Sequence, residues 1–359
     1  MSTDDANAGR YVFLDYLRAG AAWLVVWDHL GTVMPGWMGK VFGPAQWVRN
    51  NVTGPLGIIN DFGWFGVALF FLISGFIISD RARVESARDF VVRRIFRIYP
   101  ALMVAVLLAC ALIATKDQLT PRNVLLNLTL ANYLVVPQVV LLGVAWTLVI
   151  EMIFYALTAA TQFMRDSPHR IALNLVFAAL LIWKRGAFGG SILLLAVSAA
   201  YLPVLVMGQT AYWWLARQRL STPVALGYLA AAYGVFLFGV RAIQPAFLPV
   251  TNSYPISVAY AVLIFLSLVR ARLPQIGIVR FLSDTSYSLY LLHGIAAPLV
   301  LKTLVPKLPL SIAILTAAAT CLVAAAISLR LIERPAQGLA RRLTRGKAAP
   351  GEVAAVATG

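Results

Sequence analysis

The chain has little of what a water-soluble protein of 359 residues uses. Only 12% of its residues are charged and 60% are apolar, which excludes an ordinary soluble domain and fits a polytopic helical membrane protein. Cysteine is nearly absent: Cys110 and Cys321 fall in apolar runs with no Cys-x-x-Cys pair, so both read as packing residues. Three histidines are too few and too scattered for a metal centre, and none is expected. Acidic residues are scarce, 14 against 30 Lys and Arg, for a net charge of +16. That balance does not mark a nucleic-acid binder, because the basic residues sit in short clusters between apolar runs, as positive-inside topology requires. Missing too are internal repeats, a Walker A loop and a Gly-x-Gly-x-x-Gly turn. The start, "MSTDDANAGR", has no positive n-region, so a cleaved signal peptide is not expected and the first span should persist.

What the chain does have is apolar runs. Ten occur, near 12–33, 62–79, 100–115, 139–164, 171–183, 190–215, 222–240, 253–269, 283–304 and 311–332. A span takes about twenty apolar residues. With the N-terminus inside, 21 of the 30 basic residues fall at inside ends and loops, and Lys184 and Arg185 are the main exceptions. The expected fold is therefore all-α: a membrane bundle of about ten transmembrane helices with both termini cytoplasmic. Residues 1–11 read as a flexible N-terminus, 12–335 as one membrane domain and 336–359 as a basic, disordered tail. The stretch 123–138 reads as interfacial or re-entrant.

Several residues in these runs are expensive in hydrocarbon. In "LDYLRAGAAWLVVWDHL" Arg18 and His29 are eleven apart. That is three helical turns plus about 20°, so both project from one face about 16 Å apart along the axis. Asp15 lies three residues before Arg18, within reach to orient it. Snorkelling of Arg18 and an ordinary bundle role for His29 are the plain alternative. Asp28 points about 100° away from His29 and reads as an outer-interface residue rather than its partner. In "FFLISGF", Ser74 and Gly75 suit close helix packing. Arg93, Arg94 and Arg97 in "FVVRRIFRIYP" share one or two faces of a helix that Pro100 is expected to end. Guanidinium forks suit phosphates, although topology alone also supplies arginines here. In "AWTLVIEMIFYAL", Thr147, Glu151 and Tyr155 form one stripe, with Glu151 near mid-membrane, where a basic partner from another helix is expected. Late in the chain, "FLSDTSYSLYLLHG" carries Ser286, Tyr290 and His293, the last two on one face. His169 in "RDSPHR" reads as exposed and inert.

Together these stretches resemble the acyltransferase 3 family of integral membrane O-acyltransferases. The motifs, in order, are Arg-x10-His, "FFLISGF", "RRIFRIYP", "WTLVIEMIFY", "SYSLYLLHG" and "LIERP", over about residues 12–335. The resemblance implies a ten-span bacterial inner-membrane protein that takes an acyl group, usually acetyl, from cytoplasmic acyl-CoA. No cofactor is held permanently; acyl-CoA is a co-substrate. The acceptor is a hydroxyl of a carbohydrate or glycoside, and the remaining candidate partners are the lipid bilayer and a second copy of the chain. Arg18 and His29 match the Arg-x10-His motif, Arg93, Arg94 and Arg97 the arginine cluster, and Glu151 the central acid. Many relatives have proline where Gly294 follows His293.

The expected mechanism follows. Arg18, Arg93, Arg94 and Arg97 hold the phosphates of the donor, the pantetheine arm threads inward, and neutral His29 acts as general base. Glu151 is expected to orient His29 or to stabilise its protonated form. Asp15, Ser74, Trp146, Thr147, Tyr155, Tyr290 and His293 are supporting residues. A covalent acyl-enzyme is a variant of this scheme. The rival reading is a transporter or flippase that uses the same buried charges as a solute or proton path.

Overall fold

The computed structural model describes residues 11–58, 62–135, 137–184, 199–243 and 253–344. Helices make up the regular structure of those residues, as they must where no water reaches the backbone. The principal ones are α1 Val12–Asp28, α2 Gly63–Val84, α3 Ala87–Leu112, α4 Pro121–Leu128, α5 Trp146–Ala160 and α6 Arg170–Trp183. They continue with α7 Leu202–Ala211, α8 Thr222–Ile243, α9 Ser253–Val269, α10 Gly277–Leu304, α11 Leu310–Ser328 and α12 Arg334–Thr344. Each of the ten apolar runs holds a helix, although part of 190–215 lies outside the described residues. Six stretches are long and apolar enough to span a bilayer: Gly63–Val84, Ala87–Leu112, Gly143–Ala160, Thr222–Ala242, Gly277–Leu304 and Leu310–Thr344. Two further apolar helices, α6 and α9, are shorter.

Local chemistry sets several ends. Ser86 caps α3, its hydroxyl accepting from the Asp89 amide at 3.1 Å, and Asp89 adds negative charge to the first turn. Thr120 caps α4 in the same way, ahead of Pro121. α4, with the turn Ala131–Leu134, occupies most of the stretch 123–138. Asn127 holds the returning chain there, donating to Val139 O and accepting from the Leu141 amide. α1 does not end at Asp28: a π turn, His29–Val33, prolongs it into the short helix Met34–Trp37.

Two expectations need correction. Pro100 does not end α3 but sits inside it. Membrane helices tolerate proline inside a packed bundle; next to Pro100, the Tyr287 hydroxyl of α10 ties the two helices together by donating to the Ile98 carbonyl at 2.8 Å. The tail expected to be disordered from residue 336 is helical through Thr344. α12 packs along α3, buries Ala340 and Thr344, and is pinned where Arg93 Nε donates to Thr344 Oγ1 at 2.9 Å. Its high polarity hid this docked face from the composition. The other terminal expectations, 1–10 and 345–359, lie outside the described residues.

α2 is the hub of the bundle, packing on α1, α5, α7 and α9. α1 lies against both α2 and α10, and α10 runs along α11. Gly75 of α2 and Gly208 of α7 make the closest crossing. A Cβ on Gly75 would overlap the Leu205 backbone, and one on Gly208 the Leu72 backbone, so only glycine lets these helices meet. Polar staples fix other pairs. Ser283 of α10 donates to Asp15 of α1 at 2.8 Å, and Ser288 of α10 donates to Glu333, in the turn after α11, while the Ser328 hydroxyl lies 2.7 Å away and can donate to Ser288. Each buried polar group that finds a partner avoids a cost of a few kcal/mol.

Candidate functional site

Three cavities meet inside the helices α1, α2, α3, α5 and α10. The first opens at the end where α2 turns into α3. It is a polar vestibule of about 440 Å³, with Arg18, Arg81, Arg93, Arg94 and Arg97 in its walls and Gln337 and Arg341 supplied by α12. Glu85, in the turn itself, is buried and organises the arginines. Arg93 Nη1 lies 3.0 Å and Arg94 Nη2 3.7 Å from its two carboxylate oxygens. Arg93, bonded to Glu85 and Thr344, is thus committed to holding α12 on α3. Arg94 is placed by Glu85 and by the rings of Phe90 and Tyr155, its guanidinium carbon 5.3 and 5.9 Å from their centroids. Its buried Nε has no hydrogen-bond partner.

Arg18, Arg94 and Arg97 also line the second cavity, so the vestibule continues inward. This inner chamber is walled by Ile73, Ile77 and Phe70 and carries the Thr147–Glu151–Tyr155 stripe. The helical period aligns the stripe, and Tyr155 donates to Glu151 Oε1 at 2.7 Å within α5. The partner that reaches Glu151 from another helix is a serine rather than the basic group expected: Ser74 donates to the same oxygen at 2.9 Å, because it is α2 that packs on α5 here. Ser74 therefore serves the carboxylate.

The third cavity, about 340 Å³, lies beyond the second and shares Val67 and Tyr290 with it. Its walls include Asp28, His29, Trp37, Trp64 and Trp146. Trp146 sits against Trp64 and Tyr201, with ring centroids 5.2 and 5.5 Å away. The Tyr290 hydroxyl stands between chambers, 3.1 Å from both Thr147 Oγ1 and Val144 O.

Of the two α1 residues, Arg18 lines the inner chamber and vestibule and His29 the outer cavity. The partner expected for His29 needs correction. Glu151 is engaged by Ser74 and Tyr155 in the inner chamber, whereas His29 Nδ1 meets His293 Nε2 at 2.9 Å. The reason lies in the bundle: α10, not α5, lies alongside α1. Asp28 is also corrected. It is buried, packs on Gly63 and lines the same cavity as His29, because the π turn begins just after it. Asp15 takes its hydrogen bond from Ser283, and His169 is exposed.

Sequence reasoning passed over Glu85, Gln337, Arg341 and Glu333. For Glu85 a signal existed: an acid in the turn just ahead of three arginines on one helix. Glu333 stood in "LIERP" but nothing local tied it to Ser288. Among the described residues, no three His, Cys, Asp or Glu side chains gather as a metal site.

A helical bundle with an arginine-lined entrance, a half-buried carboxylate and a histidine pair beside adjacent cavities defines an integral membrane protein. Its family is shown by comparison: residues 11–329 match the acyltransferase domain family, and the chain belongs to it. It is 31% identical over 318 residues to the exopolysaccharide production protein ExoZ of Rhizobium meliloti (strain 1021), covering 80% of this chain and 94% of that protein. It is also 27% identical over 343 residues to nodulation protein 10 of Rhizobium leguminosarum bv. viciae, covering 81% and 84%. No solved structure matches.

Proposed function

We propose that this acyltransferase moves an acetyl group from cytoplasmic acetyl-CoA to a hydroxyl of a polysaccharide or its glycosylated precursor, in the bacterial inner membrane. The vestibule faces the cytoplasm in this reading, the ten runs cross the bilayer and both termini are cytoplasmic. The donor's phosphates rest on Arg18, Arg94, Arg97 and Arg341, where charge-assisted bonds are strongest. Arg93 holds the entrance together instead of binding phosphate. The pantetheine arm lies along the apolar wall of the inner chamber and brings the thioester to Tyr290. The sugar enters the outer cavity, whose indole faces suit a sugar ring, and His29 removes the proton from the attacking hydroxyl. Glu151 keeps the inner chamber polar and orders Ser74 and Tyr155 beside the arm.

One observation carries the reading: the cavities are neighbours that share walls. Arg18, Arg94 and Arg97 are shared by the first two, and Val67 and Tyr290 by the second and third. A row of adjacent cavities thus leads from a basic mouth toward a histidine, with Tyr290 at the boundary between the last two. The names of the relatives, for exopolysaccharide production and nodulation, support a glycan acceptor.

The test is thiol release from acetyl-CoA by purified protein in detergent, with and without a periplasmic glycan extract. Turnover that needs the extract and vanishes in His29→Ala supports the proposal. Absence of both turnover and acetyl-CoA binding in the wild type overturns it in favour of a transport role.

A further inference from the structure

The two imidazoles in the outer cavity constrain each other's protons. His293 Nδ1 lies 3.1 Å from the Leu289 carbonyl oxygen, and its Nε2 lies 2.9 Å from His29 Nδ1. A carbonyl oxygen can only accept, so His293 carries a proton on Nδ1. His293 is wholly buried, where an unpaired cation is costly, so it is the neutral partner and its Nε2 holds a lone pair. The contact between the rings is then a hydrogen bond only if His29 Nδ1 donates. His29 is left with its own lone pair on Nε2, and of the two rings His29 is the one that lines the cavity.

We propose that His293 is a positioning residue that holds His29 in its Nδ1–H tautomer and so presents His29 Nε2 as the proton acceptor for the attacking hydroxyl. The chain of bonds runs from Leu289 C=O through His293 to His29. It does for His29 what an orienting carboxylate does in a triad, with a backbone carbonyl as the final anchor. This inference rests on the transfer reaction proposed above. In that reaction the acceptor oxygen bonds to the thioester carbonyl carbon while its proton passes to His29 Nε2. The carbon–sulfur bond then breaks, and the proton passes from His29 to the departing sulfur, giving the ester and a free thiol. His293 exchanges no proton. Its Nε2 accepts the same hydrogen bond throughout, and that bond strengthens while His29 is charged. No other side chain pair in the chain is needed, which frees Glu151 for its place in the inner chamber.

The chain makes the test direct, because it contains only three histidines, His29, His169 and His293. The full chain, labelled with ¹⁵N-histidine in detergent micelles, is read by long-range ¹H–¹⁵N correlation, with each ring assigned by substituting one histidine at a time. The expected result is Nδ1–H for both His29 and His293, with the exposed His169 free to exchange between tautomers. In His293→Ala the fixed tautomer of His29 is lost and kcat falls by about 10²–10⁴, the scale of a misplaced general base, with the KM for the donor unchanged. In His293→Gln the amide oxygen accepts from His29 Nδ1 and recovers both the tautomer and most of kcat. A wild-type His29 protonated on Nε2 overturns the proposal, as does an unchanged kcat in His293→Ala. The tautomer is read without turnover. A protein that shows Nδ1–H at His29 yet transfers no acyl group therefore refutes the reaction and leaves the pairing standing.

Discussion

Gly75→Ala is a small change placed where the structure predicts a large effect. The new Cβ would overlap the Leu205 carbonyl oxygen and sit 2.7 Å from its carbonyl carbon and 3.0 Å from its Cα. Carbon atoms in good contact lie about 3.5–4.0 Å apart, so α2 and α7 must separate by about 1 Å. Backbone, unlike the end of a flexible side chain, cannot swing aside. Overpacking of this kind costs about 1–3 kcal/mol. Ser74 is the preceding residue, and its hydroxyl lies 2.9 Å from Glu151 Oε1, so a shift of α2 by about 1 Å along that line breaks the hydrogen bond. Ser74 and Glu151 line the chamber that holds the donor arm, and a misplacement of the donor by about 1 Å transmitted from there lowers kcat up to about a hundredfold. The assays are thermal unfolding of the purified protein in detergent and acyl transfer at saturating donor. Gly234→Ala in α8, whose Cβ meets nothing within 4 Å, is the control and should be neutral or slightly stabilising. If Gly75→Ala matches that control in both assays, α2 and α7 do not cross as tightly as described and the link from Gly75 to Glu151 is wrong.

Further expectations follow from the cavities. Arg97→Ala removes a charge that lines both the vestibule and the inner chamber, so the KM for acetyl-CoA should rise about ten- to a hundredfold with a smaller change in kcat, measured by initial-rate kinetics. Glu85→Ala leaves Arg93 and Arg94 without their shared carboxylate; with Arg93 partly exposed in the vestibule the loss is about 1 kcal/mol or somewhat more, and α12 should become more accessible to limited proteolysis. An unaltered cleavage pattern would mean that Arg93 and Thr344 hold α12 without help. Tyr290→Ala removes the side chain between donor chamber and outer cavity, so thiol release should continue without acceptor as water replaces the sugar hydroxyl. Strict dependence on acceptor in that variant would show that Tyr290 is not the partition.

Much of this protein is local and therefore legible in one dimension. The membrane class and the helices follow from apolar runs, because a bilayer forces each segment to satisfy its own backbone. The shared face of Arg18 and His29 follows from the period of a single helix, and so does the bond from Tyr155 to Glu151, four residues apart. The partners that decide what these residues do are set by which helices lie side by side. His293 comes to His29 from 264 residues away, Ser74 to Glu151 from 77, and Thr344 to Arg93 from 251. No periodicity contains that information. It depends on close crossings such as Gly75 on Leu205 and Gly208 on Leu72, where the absence of one carbon lets two backbones touch. The sequence alone determined which side chains are too costly to leave in lipid unpaired; only the packing of the bundle decided which of them pair, because shape complementarity between helices, not position along the chain, brings them together.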